Sequence, residues 1–528
     1  MKLAAIFSDN MVLQRDKRVN VFGTTDRASI IEVEIDDIKV SEKVEAGSFC
    51  LSLFPHKAGG PYFLTVTEKD EDGSVLDTKR IENVLYGEVW IDNGQSNIEF
   101  ELQNATGGQD ELKTANYPEI RYFKSIKTPV IDDEFLKNEE TLKWTPVTDG
   151  QFREISGVGY FFAVKLYEEL KVPIGMVDCY QGGSSITCWM ENEVLESIPE
   201  GKFYLDEFHE ATKDQTEEEF EKLLNEYNRQ VEEYLEKATK AKEADPNMTN
   251  EELEKVAGCY PWPPPVGLQS AFRPGGLIET MFKRIAPYTS KGLIYYQGEE
   301  DAIRNYNNKM SGLFSDQYAV LLKRLVKEYR RLLKDPELPM FICQLPMFID
   351  RHSEDILDWA YLRESQDHAV EKLDNTWLVN LLDCGDYDDV HPVDKKTPGE
   401  RIARLAFSKL YYRDDIGSFD MTLRYIEKED DRYILSFDNT AGKIVLKDNH
   451  LLDIRKETET YAADHIYGLQ ISTDGETFSV PKAKIDGENI VIESKEVIKE
   501  IRYGFFNYGK VNVYNGDGEP LRQFKVEL

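Results

Sequence analysis

The chain has 528 residues, and 64 Lys and Arg against 98 Asp and Glu give it a formal net charge of −34. This length is typical of roughly three domains, and a hydrophobic content of 41% excludes a wholly disordered chain. Because nucleic-acid binding needs clustered Lys and Arg, the charge counts against a nucleic-acid partner but leaves sugars and small acids open as ligands.

Six cysteines are too few for a disulfide framework in a chain of this length, and no CxxC pair occurs. We expect all six to be buried thiols: Cys50, Cys179, Cys188, Cys259, Cys343 and Cys384. The sequence shows neither the apolar region of a signal peptide nor a run of about 20 apolar residues that would span a membrane. We therefore expect a reduced, cytoplasmic protein without a membrane segment.

In chain order, residues 1–85 form the first predicted unit, a small β-sandwich-like domain. Its segments VNVFG, IIEVEID, FCLSLFP and YFLTVTEK show the alternation and β-branched content of half-buried strands. Residues 86–412 then alternate continuous apolar runs with helical periods, which predicts a parallel sheet covered by helices on both faces. The chain is β-rich again over 413–528, which predicts a second β-sandwich.

A highly charged stretch, near residues 203–257, interrupts the middle unit. Leu and Tyr recur there at helical spacing, and Glu/Lys pairs lie four residues apart. We interpret the stretch as an exposed helical hairpin that is either a solvated decoration or a lid or oligomer contact. The proline-rich segment CYPWPPPVG at 259–267 follows it and must run extended.

The sequence contains no motif for a bound phosphate, dinucleotide or zinc ion. GxxxxGK[ST], GxGxxG and HExxH are absent, and the seven histidines show no paired His/Cys spacing. A GxSxG nucleophile elbow is also missing. We therefore predict no metal and no cofactor.

A serine lies at the end of the first apolar strand of the middle unit. Ser96 follows EVWIDNGQ, so a glycine turn presents its hydroxyl at the carboxyl edge of the predicted sheet, where ligand sites collect. At that edge the hydroxyl would be able to attack an acyl carbon. The alternative is a polar turn in which Ser96 caps the next helix.

A histidine after the last apolar strand is the predicted base for this serine. Asp388 at −3 or Asp389 at −2 would hold the Nδ1–H of His391 while Nε2 faces Ser96. With an unperturbed imidazole, the rate would fall on the acid side of a pH of about 6.5.

An oxyanion hole needs donors that converge on one point, and two further strands end in candidate donors. Gly182 and Gly183 follow the run PIGMVDCY, and Gln297 follows KGLIYY. A glycine lets a backbone N–H approach a ligand closely, and Gln297 offers a side-chain amide. The alternatives are an ordinary glycine turn and a surface amide.

Four blocks of the sequence resemble those of the sialate O-acetylesterases, which are SGNH-type hydrolases related to microbial acetylxylan esterases. The blocks are GQSN around Ser96, GGSSITCW at 182–189, YYQGEED at 295–301 and DVHPVDKKTPGERIA at 389–403. Flanking segments near both ends are also similar to that family, so the resemblance spans nearly the whole chain apart from the charged insertion. It implies an SGNH-hydrolase-like (flavodoxin-like) three-layer α/β/α domain flanked by two β-sandwich domains.

The activity that the resemblance implies is that of a serine esterase that removes O-acetyl groups from sugars without a cofactor. Carried over residue by residue, it makes Ser96 the nucleophile, His391 the base and Asp388 the orienting acid, with Asp389 in contention. The implied oxyanion donors are the N–H groups of Ser96 and Gly183 and the side chain of Gln297.

The resemblance also implies residues that bind substrate: Gln95, Asn97, Glu299 and Arg273. For Glu299 we also expect a role in holding its loop in place. For Arg273 the alternative to substrate binding is a structural salt bridge. The chain departs from the family at Tyr295, where Trp is frequent, and at Glu300 and Asp301, where Ser-Asn is usual.

Two alternatives to a sialate O-acetylesterase remain. In the first, the protein is an esterase whose substrate is an acetylated xylo- or manno-type oligosaccharide. In the second, it is a non-catalytic carbohydrate-binding protein whose exposed Tyr260 and Trp262 stack on sugar rings. The charge of −34 slightly disfavours an anionic sugar.

Overall fold

The computed structural model describes residues 1–246, 248–302, 313–456 and 464–528, with the backbone alone at 313–316. The strands are β1 (Lys2–Leu3), β2 (Val12–Gln14), β3 (Val19–Thr25), β4 (Ser29–Ile35), β5 (Ile38–Val44), β6 (Gly47–Leu53), β7 (Gly59–Lys69), β8 (Val75–Gly94), β9 (Tyr117–Lys124), β10 (Thr145–Val147), β11 (Ile174–Tyr180), β12 (Gly292–Tyr296), β13 (Met340–Cys343), β14 (Thr376–Val379), β15 (Thr422–Glu429), β16 (Arg432–Asp438), β17 (Ile444–Leu446), β18 (Leu469–Ser472), β19 (Lys482–Asp486), β20 (Asn489–Glu493), β21 (Glu500–Tyr503), β22 (Val513–Asn515) and β23 (Phe524–Glu527).

The helices are α1 (Ser96–Glu99), α2 (Gly108–Thr114), α3 (Asp133–Glu139), α4 (Gly157–Leu170), α5 (Asn192–Glu196), α6 (Pro199–Thr212), α7 (Glu217–Ala244), α8 (Asn250–Ala257), α9 (Lys283–Ile285), α10 (Leu313–Leu332), α11 (Asp358–Val370) and α12 (Lys396–Leu410). None of these described helices is both long enough and apolar enough to cross a membrane.

The middle of the molecule is a parallel sheet in the order β9-β11-β8-β12-β13-β14, with β10 antiparallel to β9 at one edge. Strand β8 lies between β11 and β12, so the chain leaves it toward one side and later returns to the other. In open α/β sheets such a switch in direction creates a crevice beyond the carboxyl ends of the strands. The parallel sheet confirms the predicted α/β class.

Helices cover both faces of this sheet, as two consecutive residues of β8 show. A Cβ on Gly159 of α4 would overlap the Asp92 carboxylate, whereas Asn93 accepts a 2.8 Å hydrogen bond from the hydroxyl of Tyr329 on α10. Because successive strand residues point to opposite faces, α4 and α10 lie on opposite sides of the sheet. The region therefore has three layers.

The predicted boundary at residue 85 falls inside strand β8, which runs unbroken through it. The first half of β8 pairs with β7 and β2, and its second half pairs with β11 and β12. One hydrophobic core extends from Ile6 to Phe407. The N-terminal strands and the α/β region therefore share a core, and a second sheet, β1-β3-β6, lies beside β8's N-terminal partners.

The C-terminal region is β-rich as predicted. Its sheets are β15-β16-β20-β19, β17-β22 and β18-β21-β23. A separate hydrophobic core lies there, and Met347 and Leu382 from the α/β region join it. The buried Arg363 guanidinium bonds to Gln523 Oε1 at 2.6 Å, so a polar contact also crosses this junction.

The charged insertion is helical, as predicted, and α7 packs against α8. Thr216 and Thr249 each begin a helix with a reciprocal capping box, to Glu219 and Glu252. Most of its side chains are exposed.

The prediction of six buried thiols is confirmed for four cysteines and wrong for two. Four are buried and Cys50 is half-buried, but Cys259 is exposed. It lies just after α8, where its Sγ is 3.3 Å from Glu254 Oε1. The proline-rich segment therefore begins at the surface.

Candidate active site at the carboxyl edge of the sheet

Ser96 lies at the turn between β8 and α1, in the crevice. Gly94 has φ of 135°, and a Cβ there would overlap the carbonyl oxygen of Tyr296. The close approach of the end of β8 to the end of β12 therefore requires glycine. Ser96 is half-buried, while Gln95 and Asn97 on either side of it are buried. The turn therefore presents one side chain, the Ser96 hydroxyl, toward solvent.

Two backbone N–H groups at this edge, those of Ser96 and Gly183, are free to donate. Ser96 is the first residue of α1, whose first-turn N–H groups have no partner within the helix. No residue in the described ranges accepts the N–H of Ser96 or of Gly183. Such donors are what a developing oxyanion requires.

The Gly182–Gly183 turn packs directly on the serine. A Cβ on Gly182 would lie 3.4 Å from the Cβ of Ser96, and its N–H donates to the Glu99 carboxylate, which also pairs with Lys127. Gly183 has φ of 70°, in the region that favours glycine. The sequence prediction that these glycines lie at the Ser96 edge agrees with this packing.

Gln297 follows β12 at the same edge but is completely buried. Its Nε2 lies 2.6 Å from Asp301 Oδ2 and 3.0 Å from the Ser184 carbonyl, and its Oε1 accepts from the Tyr318 hydroxyl at 2.8 Å. The amide is thus held by protein groups, and its predicted role as an oxyanion donor stays a prediction.

Asp301 also lies at this edge, and its hydrogen bonds to the neighbouring loop were not predicted from the sequence. Besides Gln297, it accepts from the Ser185 hydroxyl at 2.7 Å, the Ile186 N–H at 2.9 Å and the Tyr204 hydroxyl at 3.2 Å. It ties the loops after β11 and β12 together. The only sequence signal was its departure from the family's Ser-Asn.

The loop that carries His391 meets the serine turn. Asn97 Nδ2 donates to the Val390 carbonyl at 3.0 Å, which joins the residue after Ser96 to the residue before His391. The His391 side chain is half-buried. Burial, reinforced by the positive charge of Lys395, lowers its pKa to about 4. The imidazole is therefore neutral at neutral pH, as a general base must be.

Neither predicted orienting acid bonds to the imidazole through a described contact. Asp388, with φ of 61°, pairs with the Arg351 guanidinium and accepts the Arg351 N–H at 3.0 Å. Asp389 Oδ1 accepts the backbone N–H of His391 at 2.8 Å. Asp389 therefore shapes the turn, and the choice between the two acids as the orienter of the ring stays a prediction.

A buried polar network links three of the loops. Lys395 Nζ donates to Asn97 Oδ1 at 2.6 Å, and Asn97 Nδ2 donates to Glu299 Oε1 at 2.6 Å. Burial raises the pKa of Glu299 to about 7 and lowers that of Lys395 to about 8. Sequence reasoning missed Lys395, although it lies in the block with His391.

The other predicted substrate-binding residues bond within the protein. Gln95 Oε1 accepts from Gln297 Nε2 at 3.1 Å and from the Gly298 N–H at 3.2 Å. Arg273 donates to the carbonyls of Pro129 and Ser270, both at 2.7 Å, and forms no salt bridge in the described ranges. These side chains brace the loops of the edge.

Among the described residues, one group could hold a metal ion: Asp36, Asp37 and His56. It lies in the connections between the N-terminal strands, where His56 stacks on Tyr86 of β8. The edge itself instead carries a hydroxyl, a neutral imidazole and free backbone donors. These are the groups of a hydrolase that uses serine as its nucleophile.

The comparisons with known proteins agree with that class. Residues 270–406 match the family described as carbohydrate esterase, sialic acid-specific acetylesterase. This stretch includes Gln297, Glu299 and His391, but it begins after Ser96. The sialate O-acetylesterase of Mus musculus is 24% identical over 435 residues, covering 76% of this chain and 72% of that protein. That of Homo sapiens is 22% identical over 432 residues, covering 76% and 69%.

A solved structure shares the fold. A carbohydrate acetylesterase from Xanthomonas citri aligns with a TM-score of 0.72 and 24% identity, over 100% of this chain and 99% of that one. The match supports the three-layer α/β fold, and the SGNH-type classification stays a prediction. Together the matches confirm the predicted resemblance to the sialate O-acetylesterase family and the predicted class of enzyme, a carboxylic ester hydrolase.

Proposed function

We propose that this protein hydrolyses O-acetyl esters of carbohydrates, with Ser96 as nucleophile and His391 as general base. The observation that carries this proposal is the hydrogen bond from Asn97 to the Val390 carbonyl. It joins the loop of the serine to the loop of the histidine at the edge where the Gly182–Gly183 turn packs on Ser96.

In the proposed mechanism, His391 takes the proton of the Ser96 hydroxyl as Oγ attacks the acetyl carbonyl carbon. The N–H groups of Ser96 and Gly183 stabilise the negative charge on the former carbonyl oxygen. His391 then protonates the leaving sugar hydroxyl, and the acetyl group stays on Ser96. Water, activated by the same imidazole, attacks the acetyl-serine, and acetate leaves with regeneration of the hydroxyl.

The substrate class follows from the relatives. The curated relatives are named sialate O-acetylesterases, and the structural relative is a carbohydrate acetylesterase. We therefore propose an O-acetylated sugar as substrate, with O-acetylated sialate first and acetylated xylo- or manno-oligosaccharides second. The net charge of −34 favours the neutral oligosaccharides slightly.

The experiment that tests the function measures acetate release from O-acetylated sialate and from acetylated xylo-oligosaccharides. We expect release from at least one of them, reduced by several powers of ten in Ser96→Ala, as when a catalytic serine is removed. Ser74→Ala, which removes an exposed turn hydroxyl, is the matched control. Failure of the wild type to release acetate from either sugar, or a native rate in Ser96→Ala, would contradict the proposal.

We further propose that the N-terminal and C-terminal β-rich regions act as β-sandwich-like flanks of the catalytic region. Sheets on either side of the 86–412 region support this organisation. The cytoplasmic location also stays a prediction, and fractionation of the producing cells would test it.

A further inference from the structure

The proline-rich segment after the helical insertion reaches the active site through one residue, Trp262. A Cβ on Gly183 would overlap the six-membered ring of Trp262, so the edge of the indole lies against the Gly183 backbone. The neighbouring residue of the same turn, Gly182, packs on Ser96. Trp262 and Ser96 therefore contact adjacent residues of one glycine dipeptide.

Trp262 presents an aromatic surface at this position. Its side chain is 39% exposed, an unusual value for the largest apolar residue. Phe272 meets the indole edge-to-face, with ring centroids 6.1 Å apart. No acceptor within the described residues takes its Nε1–H. The ring is thus held by protein contacts and is partly open to solvent.

The helical insertion braces the segment that carries Trp262. Gln215 Nε2 donates to the Val266 carbonyl at 2.9 Å, and Gln269 Nε2 donates to Glu217 Oε1 at 2.6 Å. Phe220 of α7 packs so closely on Gly267 that a Cβ there would overlap its ring.

The insertion contacts both the proline-rich segment and the histidine loop. Tyr260 packs edge-to-face on Tyr234 of α7, with centroids 5.3 Å apart. Asn250 Nδ2 of α8 donates to the Asp388 carbonyl in the histidine loop at 2.8 Å. An insertion fixed at both the tryptophan and the histidine loop is more than a solvated decoration.

We propose that Trp262 stacks on the ring of the sugar whose acetyl group Ser96 attacks, and that the insertion holds Trp262 in place. The inference rests on the proposed function. A sugar ring has an apolar C–H face that packs on aromatic rings, and sites for small molecules commonly combine such a surface with a few polar groups. Because the alcohol part of the ester is the part that stacks on Trp262 in this arrangement, the residue acts mainly on the choice of substrate.

The test compares two substrates, an acetylated sugar cleaved by the wild type and ethyl acetate, which has no ring. In Trp262→Ala we expect kcat/KM for the sugar ester to fall about tenfold or more, mainly through KM, the size of effect that aromatic packing supplies. The rate on ethyl acetate should fall less than the rate on the sugar ester, because the packing of Trp262 on Gly183 is lost for both substrates but the stacking contact matters only for the sugar. Trp262→Phe retains most of the activity on the sugar ester.

Two further variants separate the role of the ring from general effects. Tyr412→Ala removes a ring that is 86% exposed outside this segment and should change neither rate. Phe220→Ala loosens the brace and should raise KM for the sugar ester selectively.

An unchanged KM of Trp262→Ala for the sugar ester, or an equal loss on both substrates, would overturn the inference while leaving the proposed function intact. A wild type that cleaves ethyl acetate but no acetylated sugar would instead overturn the proposed function, and the inference with it.

Discussion

Lys395 Nζ lies 2.6 Å from Oδ1 of Asn97, so a buried lysine four residues after His391 is hydrogen-bonded to the residue next to Ser96. The same Asn97 side chain bonds to Glu299 and to the Val390 carbonyl. One amide therefore connects the loops after β8, β12 and β14. Because buried polar groups need partners, loss of any member leaves a neighbour unsatisfied.

Replacing Lys395 with glutamine should raise the pKa of His391. The lysine cation disfavours a second positive charge on the imidazole, so its removal makes protonation easier. The acid limb of the kcat/KM profile should then move to higher pH than in the wild type. Lys396→Gln is the control, since Lys396 is exposed and lies 3.8 Å from Glu400. An acid limb of Lys395→Gln that coincides with that of the wild type would show that Lys395 does not act on the base.

The wild-type pH profile should itself differ from that of an ordinary histidine enzyme. Burial lowers the pKa of His391 to about 4, whereas an unperturbed imidazole titrates near 6.5. The base stays neutral down to lower pH, so kcat/KM, which reports the free enzyme, should be flat from pH 7 to about 5 and fall near 4. Initial rates with a soluble acetate ester over this range measure it, and a midpoint near 6.5 would contradict the burial of the ring.

Replacing Asn97 with alanine should lower both stability and turnover. Lys395 and Glu299 each lose a hydrogen bond in a buried site, and bonds to charged groups contribute about 1.5–3 kcal/mol. We expect the free energy of unfolding to fall by about that amount and kcat to fall more than KM changes, because the serine and histidine loops lose their link. Denaturant unfolding and steady-state kinetics measure the two effects, with the exposed Asn104→Ala as control. Equal stability of the variant and the wild type would count against the network.

Asp92 and Asp178 are in register on β8 and β11, and both are fully buried. Burial and the neighbouring carboxyl raise the pKa of Asp92 well above its usual range. Asp92 in the folded state therefore retains a proton that the unfolded chain releases above a pH of about 3.9. The free energy of unfolding falls as the pH rises from about 3.9 toward the raised pKa of Asp92.

Replacing Asp92 with asparagine, its neutral isostere, should remove this loss of stability at high pH. Asp92→Asn should raise the free energy of unfolding at pH 8 by on the order of 1–3 kcal/mol and change it little at pH 4. The exposed Asp214→Asn controls for net charge. Chemical unfolding at the two pH values is the measurement, and a variant less stable than the wild type at pH 8 would mean that the ionised carboxylate is stabilising.

Much of the candidate active-site edge follows from local sequence, because parallel strands bring their carboxyl ends together wherever they lie in the chain. Every residue of β11 is buried, and a nearly continuous apolar run of this kind predicts a central strand of a parallel sheet. The turn after β8 and the histidine loop after β14 were therefore predictable as neighbours, and Ser96 and His391 lie on them.

The partners of the buried polar residues were not predictable in this way. Asn97 and Lys395 are 298 residues apart, and a lysine at the start of a polar helix is expected to be exposed. Asp388 pairs with Arg351, a contact made possible by its left-handed φ of 61°. Such contacts depend on loop conformations that no periodicity encodes.

The domain boundary shows a different limit. The exposed residues of β8 end before Leu85, and the strand is continuously buried from there to Gly94. That change in pattern suggests a break between domains in the sequence. In the structure, it lies just before the point where β8 stops pairing with β7 and β2 and begins to pair with β11 and β12.

Labelling with a fluorophosphonate, which phosphonylates activated serines, tests the pairing of Ser96 with His391 most directly. We expect one adduct per chain, located on Ser96 by peptide mass spectrometry, and loss of labelling in His391→Ala. An active enzyme whose adduct lies on another serine, or His391→Ala labelled as fast as the wild type, would contradict the pairing of Ser96 with His391.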